Sequence, residues 1–115
     1  MKSEHSEQVV VVNRIRHFYP EVLVFAIPNG GFREKKEAGR LKAEGVLSGI
    51  PDLLVATSRA GYHGLFIEMK RLTGGSVSAI QKERIAKLRQ EGYKVEVCKG
   101  AEAAWEVVQN YLQSV

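Results

Sequence analysis

The sequence has little of several features that would each indicate a particular kind of protein. It contains one cysteine, Cys98, so no internal disulfide is available and no CxxC or Cys/His cluster offers a zinc site. Cys98 lies in an alternating apolar segment, and we expect it to be a small core residue. No apolar run approaches the roughly 20 residues that span a bilayer. The segment Met1 to Glu7 lacks the apolar stretch of a secretory signal, so we expect a cytoplasmic protein without a membrane partner.

Several catalytic signatures are also missing. There is no Walker lysine loop and no GxGxxG, which disfavours a nucleotide-driven motor and a dinucleotide enzyme. The three histidines form no HNH or HxH arrangement, and we expect surface or structural roles for them. Trp105, the only tryptophan, recurs at helical spacing with Val108 and Leu112. This spacing predicts a place in the core or in a dimer interface rather than a platform for stacked bases.

The bulk composition is typical of one globular domain over residues 1–115. The chain is 44% hydrophobic and 26% charged, with a net charge of +4. A mild basic excess is compatible with a polyanionic partner but does not establish one. Hydrophobic periodicity and turn residues predict the order α-β-(α)-β-β-α-β-α, a mixed α/β domain. The predicted elements are a helix over 3–19, a strand over Glu21–Ile27, a short polar helix or partly ordered loop over Phe32–Glu44, strands over Leu53–Ala56 and Leu65–Lys70, a helix over Ser78–Glu91, a strand over Tyr93–Cys98 and a helix over Gly100–Leu112.

The most informative stretch runs from Asp52 to Lys70. Asp52 begins one predicted strand, and Glu68 and Lys70 lie on the next strand after a loop of hairpin length. Side chains alternate faces along a strand, so Glu68 and Lys70 share one face while Met69 points the other way. Antiparallel pairing could bring Asp52 opposite Glu68. Two carboxylates and an ammonium would then converge at one sheet edge.

This set of residues suits phosphodiester hydrolysis. Carboxylate oxygens hold Mg²⁺ or Mn²⁺ while leaving positions open for water and phosphate. Such a metal acts as a Lewis acid and lowers the pKa of bound water. Lys70 could orient or deprotonate that water, or its ammonium form could stabilise the transition state. Acting as a base would require its pKa, roughly 10.4 when unperturbed, to fall.

The same residues resemble a known nuclease superfamily. Pro51-Asp52 followed by Glu68-Met69-Lys70 is similar to the PD-(D/E)xK signature. The surrounding residues resemble its VRR-NUC (virus-type replication-repair nuclease) branch in a compact stand-alone form. They are Asn29 to Gly31, Gly45 to Asp52, Gly64 to Lys70, Gln81 and Gly92-Tyr93. The resemblance covers nearly the whole chain and implies a restriction-endonuclease-like fold, a small mixed β-sheet flanked by helices in a single compact domain.

The resemblance also implies a set of site residues. The metal ligands would be Asp52, Glu68 and the backbone carbonyl of Met69, and Lys70 would be the catalytic lysine. A first-helix glutamate usually completes such a site. Glu4 pairs with Gln8 at the family's usual spacing, while Glu7 has the better inward geometry, so both stay candidates. Gln81 would be a supporting residue near Lys70.

The implied activity is Mg²⁺- or Mn²⁺-dependent DNA hydrolysis with 5′-phosphate and 3′-hydroxyl products. Stand-alone members of the family are homodimers that act on branched DNA such as four-way (Holliday) junctions, whereas larger relatives carry the domain as one part and cut flaps. The setting that the resemblance implies is a bacterial or phage-infected cell. The alternatives are a noncatalytic DNA-binding module, a structural subunit of a replication-repair assembly, and a flap or exonuclease-type activity.

Simpler explanations exist for some of these residues. Pro51-Asp52 is a common turn, and Glu68 and Lys70 could be the solvated side of an edge strand. Asp52, Glu68 and Lys70 together with the family resemblance favour the catalytic interpretation. For Gln81 both interpretations stay open, because Ser78-Ala-Ile-Gln81 is also a capping box that could account for the glutamine alone.

A polar, basic segment follows the first predicted strand. Its basic side chains could follow phosphates, since nonspecific DNA affinity comes mainly from such charges. However, Arg33 with Glu37 and Arg40 with Glu44 have the i,i+4 spacing of an ordinary solvated helix. Asn29, in a Pro-Asn-Gly-Gly turn, could equally be a turn residue or approach the substrate backbone. The candidate DNA-binding residues are Asn29, Arg33, Lys36, Arg40 and Lys42.

Overall fold

The computed structural model describes residues 3–28 and 35–115, which form one mixed sheet with helices on both faces. Within these residues the order of elements confirms the predicted α-β-α-β-β-α-β-α sequence. The elements are α1 (Glu4–Phe18), β1 (Val24–Ala26), α2 (Lys35–Ala43), β2 (Leu53–Val55), β3 (Leu65–Lys70), α3 (Ala79–Gln90), β4 (Lys94–Lys99) and α4 (Ala101–Gln113).

The four strands lie in the order β1-β2-β3-β4. β1 and β2 are antiparallel, and so are β2 and β3, with Leu53 opposite Ile67. β4 is parallel to β3 because the chain crosses over through α3 before it re-enters the sheet. β2 and β3 are therefore the two central strands.

β3 is buried along its whole length because helices cover both of its faces. Leu65, Ile67 and Met69 face the main core, which also contains residues of α1 and α4. Phe66 lies on the opposite face, in a second cluster with Ile85 of α3. Glu68 and Lys70 follow Phe66 on this second face, as strand alternation predicts. The interpretation of Glu68 and Lys70 as the solvated side of an edge strand is therefore wrong.

α1 begins and ends where the sequence predicts. Ser3 is its N-cap, and the Ser3 hydroxyl accepts a hydrogen bond from the Ser6 amide at 3.1 Å. The helix ends at Phe18, since the residue before Pro20 is disfavoured in helical conformation. Its buried face consists of Glu7, Val11 and Ile15, which recur every four residues.

β1 is shorter than the predicted strand over 21–27. The amide of Val22 bonds the Tyr19 carbonyl at 3.0 Å, so a turn occupies the first residues of that segment. Only Val24 of the strand is buried, while Phe25 is 40% exposed. The apolar composition of 21–27 therefore reflects surface residues of an edge strand as well as core residues.

α2 is the helical part of the predicted polar segment 32–44. Within the residues that the structure describes, α2 makes no contact with any other helix or strand. Isolated helices of this length are marginally stable in water. The chain leaves the sheet after β1 and returns before β2, where the amide of Ile27 bonds the Asp52 carbonyl at 2.8 Å. α2 therefore projects from a connection whose two ends meet at the start of β2.

Cys98 is a core residue, as predicted. It lies on β4, is 2% exposed and packs in the main cluster. Burial raises the pKa of its thiol to about 11, with a further contribution from Glu96. A thiol with so high a pKa is almost fully protonated at neutral pH and is a poor nucleophile.

Candidate active site

A cleft of about 560 Å³ opens where α1, the ends of β2 and β3, and the first turn of α3 meet. Apart from the first-helix glutamates, four of the predicted site residues line this cleft, namely Asp52, Glu68, Lys70 and Gln81. Asp52, Glu68 and Lys70 lie at the ends of the two central strands, and not at a sheet edge as predicted, while Gln81 lies in the first turn of α3. The remaining lining residues are Glu4, His5, Gln8, Ile27, Gly49, Ser78 and Ile80.

Asp52 lies immediately before β2 and is half-buried. Extending the register of β2 and β3 by one residue places it beside Glu68. Its Oδ2 accepts a hydrogen bond from the backbone amide of Met69 at 2.8 Å. This bond fixes the Asp52 carboxylate against the strand that carries Glu68 and Lys70, as the predicted antiparallel pairing required.

Glu68 and Lys70 form a buried ion pair. Lys70 Nζ lies 3.3 Å from Glu68 Oε2, and the two side chains are 10% and 4% exposed. Gln81 of α3 bonds to both partners. Its Nε2 donates to Glu68 Oε2 at 3.0 Å, and its Oε1 accepts from Lys70 Nζ at 3.2 Å. Glu68 Oε2, Lys70 and Gln81 thus hold one another in place.

The second oxygen of Glu68 is in a different situation. Glu68 Oε1 is buried and has no hydrogen-bond partner among the residues that the structure describes. The pKa of Glu68 is raised to about 7, mainly by burial and also by the nearby Asp52 carboxylate, while Lys70 acts in the opposite direction. A buried carboxylate oxygen without a partner is costly. This oxygen is therefore suited to accept a cation.

Gln81 makes the contacts that each of the two interpretations left open by the sequence requires. Its side-chain Oε1 accepts a hydrogen bond from the backbone amide of Ser78 at 2.9 Å. The backbone amide of Gln81 donates to the Ser78 hydroxyl at 3.2 Å. These two bonds complete a capping box at the start of α3. The same side chain also bonds Glu68 and Lys70. The capping box therefore fixes the residue that connects the ion pair to α3.

The two first-helix glutamates occupy different environments. Glu4 is exposed and lines the cleft, and its charge contributes to the raised pKa of Glu68. Glu7 is 4% exposed and does not line the cleft. Its Oε2 accepts a hydrogen bond from the backbone amide of Ala101. Of the two candidates, Glu4 is the one that lies at the cleft.

The candidate DNA-binding residues belong to the connection that contains α2. Asn29 and Arg33 lie outside the described residues, and so does the side chain of Lys36. Arg40 and Lys42 are exposed on α2. Arg40 forms no ion pair with Glu44, and both of these residues lie in the described part of the chain. The solvated i,i+4 pair expected from the sequence is absent at this position.

Several residues that line the cleft were not predicted as site residues from the sequence, among them His5, Ile80 and Gly49. His5, for which a surface or structural role was expected, is exposed and also lines the cleft. Ile80 places an apolar side chain, 37% exposed, at the cleft wall. Gly49 has φ +85°, and a Cβ there would lie 3.1 Å from Ile80 Cγ1. The helical position of His5 beside Glu4 was a usable signal, whereas Ile80 and Gly49 meet only through the docking of α3.

The donor set of the cleft is small. No group of three His, Cys, Asp or Glu side chains that could enclose a metal ion occurs within residues 3–28 and 35–115. Asp52 and Glu68 lie beside each other across β2 and β3, Glu4 lines the cleft as a third carboxylate, and backbone carbonyls and water would have to supply the remaining ligands. Oxygen donors of this kind, together with several waters, are typical of Mg²⁺ sites. Zinc sites usually include nitrogen or sulfur ligands.

No helix in the described ranges is long and apolar enough to cross a membrane.

The central antiparallel strands, the parallel fourth strand and the flanking helices form the α/β fold of restriction-endonuclease-like proteins, with two carboxylates and a lysine at the strand ends.

Comparison with known proteins identifies the branch of this class. The family model for the VRR-NUC domain matches residues 2–102. A solved structure described as a VRR_NUC domain protein is 31% identical in sequence and has a TM-score of 0.84. The alignment covers 99% of this chain and 91% of that one. No curated protein matches the chain. The chain belongs to the VRR-NUC domain family, which is a family of nucleases.

Proposed function

We propose that this chain is a metal-dependent endonuclease that hydrolyses phosphodiester bonds of DNA at the cleft. The observation that carries the proposal is the state of the Glu68 carboxylate. One of its oxygens is held by Lys70 and Gln81, and the other is buried without a partner in the described part of the chain. Perturbed carboxylates in clefts are typical of functional sites. A purely structural carboxylate would be expected to have both oxygens bonded.

The residues of the cleft fit Mg²⁺ or Mn²⁺. Asp52 and Glu68 would be side-chain ligands, together with Glu4 from α1. The Met69 amide points toward Asp52, whereas the Lys70 carbonyl accepts from Gly100 on the β4 side. Because the amide and carbonyl of one strand residue point to the same side, the Met69 carbonyl is directed toward Asp52 and could be a further ligand. When bound, such an ion supplies Lewis-acid stabilisation of the phosphate and lowers the pKa of a coordinated water.

Lys70 would bind and neutralise the reacting phosphate. Its ammonium group is fixed by Glu68 Oε2 and Gln81 Oε1, so its direction is set before substrate arrives. A preorganised positive charge in a partly dry cleft stabilises developing negative charge without reorganisation. The same ammonium can hydrogen-bond the attacking water and orient it. Breakage of the P–O3′ bond would leave a 5′-phosphate and a 3′-hydroxyl.

The connection that carries α2 would contact the DNA backbone beside the cleft. Arg40 and Lys42 are exposed on α2, and Arg40 has no partner in Glu44. Both ends of the connection lie at the cleft, since Ile27 and Asp52 bond each other there. Asn29, Arg33 and Lys36 belong to the same connection by sequence. Phosphate contacts of this type give affinity without sequence preference.

The preferred substrate would be branched DNA, cut by a homodimer. This part of the proposal comes from the resemblance to stand-alone members of the family. A twofold dimer presents two equivalent clefts, which suits a symmetric four-way junction. A flap or exonuclease-type activity on one strand, and a noncatalytic DNA-binding function, are the alternatives.

The test is cleavage of end-labelled four-way junction, flap and linear duplex DNA by the purified chain. Each substrate is incubated with Mg²⁺, Mn²⁺ or EDTA. We expect cleavage with either metal, none with EDTA, and paired nicks across the junction. Cleavage of the flap alone would replace the junction proposal with the flap alternative. If the chain binds DNA but cleaves none of the substrates with either metal, this result contradicts the nuclease proposal and supports a binding module.

A further inference from the structure

Glu7 is a buried carboxylate that the proposed reaction does not use. It is 4% exposed, lies one helical turn after Glu4, and is not among the residues that line the cleft. Its Oε2 accepts a hydrogen bond from the backbone amide of Ala101, the first residue of α4 and 94 residues further along the chain. Because a buried carboxylate is costly unless it is bonded, this contact joins α1 firmly to the start of α4.

α4 has no side-chain cap of its own. Its N-cap residue is Gly100, with φ +86°, and a Cβ there would lie 2.7 Å from the Leu72 side chain. A serine, threonine or aspartate cap is therefore strained at this position. Glu7 supplies the missing acceptor from another helix. The positive end of α4 also favours the negative charge of the carboxylate.

The start of α4 is also fixed to the strand that carries the cleft residues. The amide of Gly100 donates to the Lys70 carbonyl at 2.9 Å. A continuous path therefore runs from Lys70 through Gly100 and Ala101 to Glu7. One end of this path is the proposed catalytic lysine, and the other end is the helical turn that presents Glu4 to the cleft.

We propose that Glu7 is a positioning residue, which caps α4 from α1 and thereby sets the distance between Glu4 and the end of β3. The inference rests on the proposed function, because it treats Glu4 as a metal ligand. A loss of the Glu7–Ala101 bond would let the first turn of α1 move relative to Lys70. Groups that orient a ligand typically contribute 10- to 100-fold to metal affinity.

The test uses three variants and measures Mn²⁺ affinity by calorimetry, together with the Mn²⁺ concentration that gives half-maximal cleavage. Glu7→Ala removes the acceptor and should weaken Mn²⁺ binding about tenfold. Cleavage at saturating Mn²⁺ should fall less than that. Glu7→Gln keeps an oxygen that accepts from Ala101 and should stay much closer to the wild type. Ala101→Pro replaces the amide hydrogen with a ring methylene that cannot donate to Glu7, at a helix position where proline is tolerated, and should match Glu7→Ala.

Val108→Ala is the control for loss of stability alone. Val108 is fully buried on α4 and does not line the cleft. This variant should lower the melting temperature without changing Mn²⁺ affinity. Ala101→Pro retains Glu7, so it decides the inference by itself if Glu7→Ala does not fold.

Two results would overturn the inference. If Glu7→Gln weakens Mn²⁺ binding as much as Glu7→Ala, the carboxylate itself is the ligand. If Ala101→Pro binds Mn²⁺ like the wild type, the bond has no positioning effect. If the wild type does not cut DNA, the proposed function is overturned instead. If the wild type cuts DNA and the variants have unchanged Mn²⁺ affinity, only the positioning role is overturned.

Discussion

The side-chain amide of Gln81 donates to Glu68 Oε2 at 3.0 Å, so the capping glutamine of α3 is bonded to a buried carboxylate of the cleft whose pKa is raised. The same Gln81 side chain accepts from Lys70. One residue therefore connects the start of a helix with both members of a buried ion pair. Its contributions to helix stability and to the chemistry of the cleft can be separated by substitution.

Ser78→Ala and Gln81→Glu should have opposite profiles. Ser78→Ala removes the hydroxyl that caps α3 and should cost about 1 kcal/mol of stability, with a small effect on cleavage. Gln81→Glu keeps a residue suited to the capping box but places a second carboxylate against Glu68. We expect its cleavage rate to fall roughly 10- to 100-fold with little loss of stability. Chemical denaturation and single-turnover cleavage measure the two effects. If Gln81→Glu loses stability while its cleavage rate is unchanged, Gln81 is only a cap.

Glu68→Gln should stabilise the metal-free protein more at pH 8 than at pH 5. The folded-state pKa of Glu68, about 7, lies above its ordinary value of 4.5. The folded protein therefore holds a proton in this window that the unfolded chain has released, so stability falls as pH rises from about 4.5 to about 7. Glutamine cannot ionise and avoids this loss. Between pH 5 and pH 8 we expect the difference in free energy of unfolding between variant and wild type to change by on the order of 2 kcal/mol.

The measurement is urea unfolding in EDTA at both pH values. Glu83→Gln is the matched control, because Glu83 is an exposed carboxylate on α3 away from the ion pair. The attraction of Lys70 is already included in this pKa, because Lys70 lowers the pKa of Glu68. A difference between Glu68→Gln and wild type that does not change with pH would contradict the assigned pKa direction.

Arg40→Gln combined with Lys42→Gln should weaken DNA binding and make it less dependent on salt. Each lost phosphate contact lowers the slope of log K against log salt by about 0.9, so two contacts would lower it by about 2. The control is Lys87→Gln with Lys94→Gln, which removes the same charge from α3 and from the start of β4. Equal weakening by both double variants would indicate a general charge effect and no role for α2.

The central constellation could be predicted from the sequence because it depends on local rules. Strand alternation puts Glu68 and Lys70 on one face, and a hairpin connection brings Asp52 beside them. The structure has this arrangement, with Asp52 bonded to the Met69 amide. Helix ends were equally predictable, since Ser3, Pro20 and Ser78 act through their nearest neighbours.

Features that depend on long-range packing were not predictable. The site was placed at a sheet edge, but β4 enters parallel to β3 and makes β3 a central strand. The choice between Glu4 and Glu7 depended on α4, whose start lies 94 residues from Glu7 and offers its amide there. Periodicity along α1 correctly put Glu7 on the buried face, but burial alone did not indicate which glutamate reaches the cleft.

The most direct test of the proposed nuclease compares Lys70→Ala with Lys87→Ala on branched DNA in Mg²⁺. Lys70 is buried beside Glu68 and lines the cleft, whereas Lys87 is an exposed lysine on α3 paired with Glu91. DNA binding is measured in parallel with Ca²⁺ in place of Mg²⁺. We predict that Lys70→Ala loses at least about 100-fold in cleavage rate while it still folds and binds DNA, and that Lys87→Ala cuts like the wild type. Equal cleavage by the two variants would contradict the assignment of the active site to this cleft.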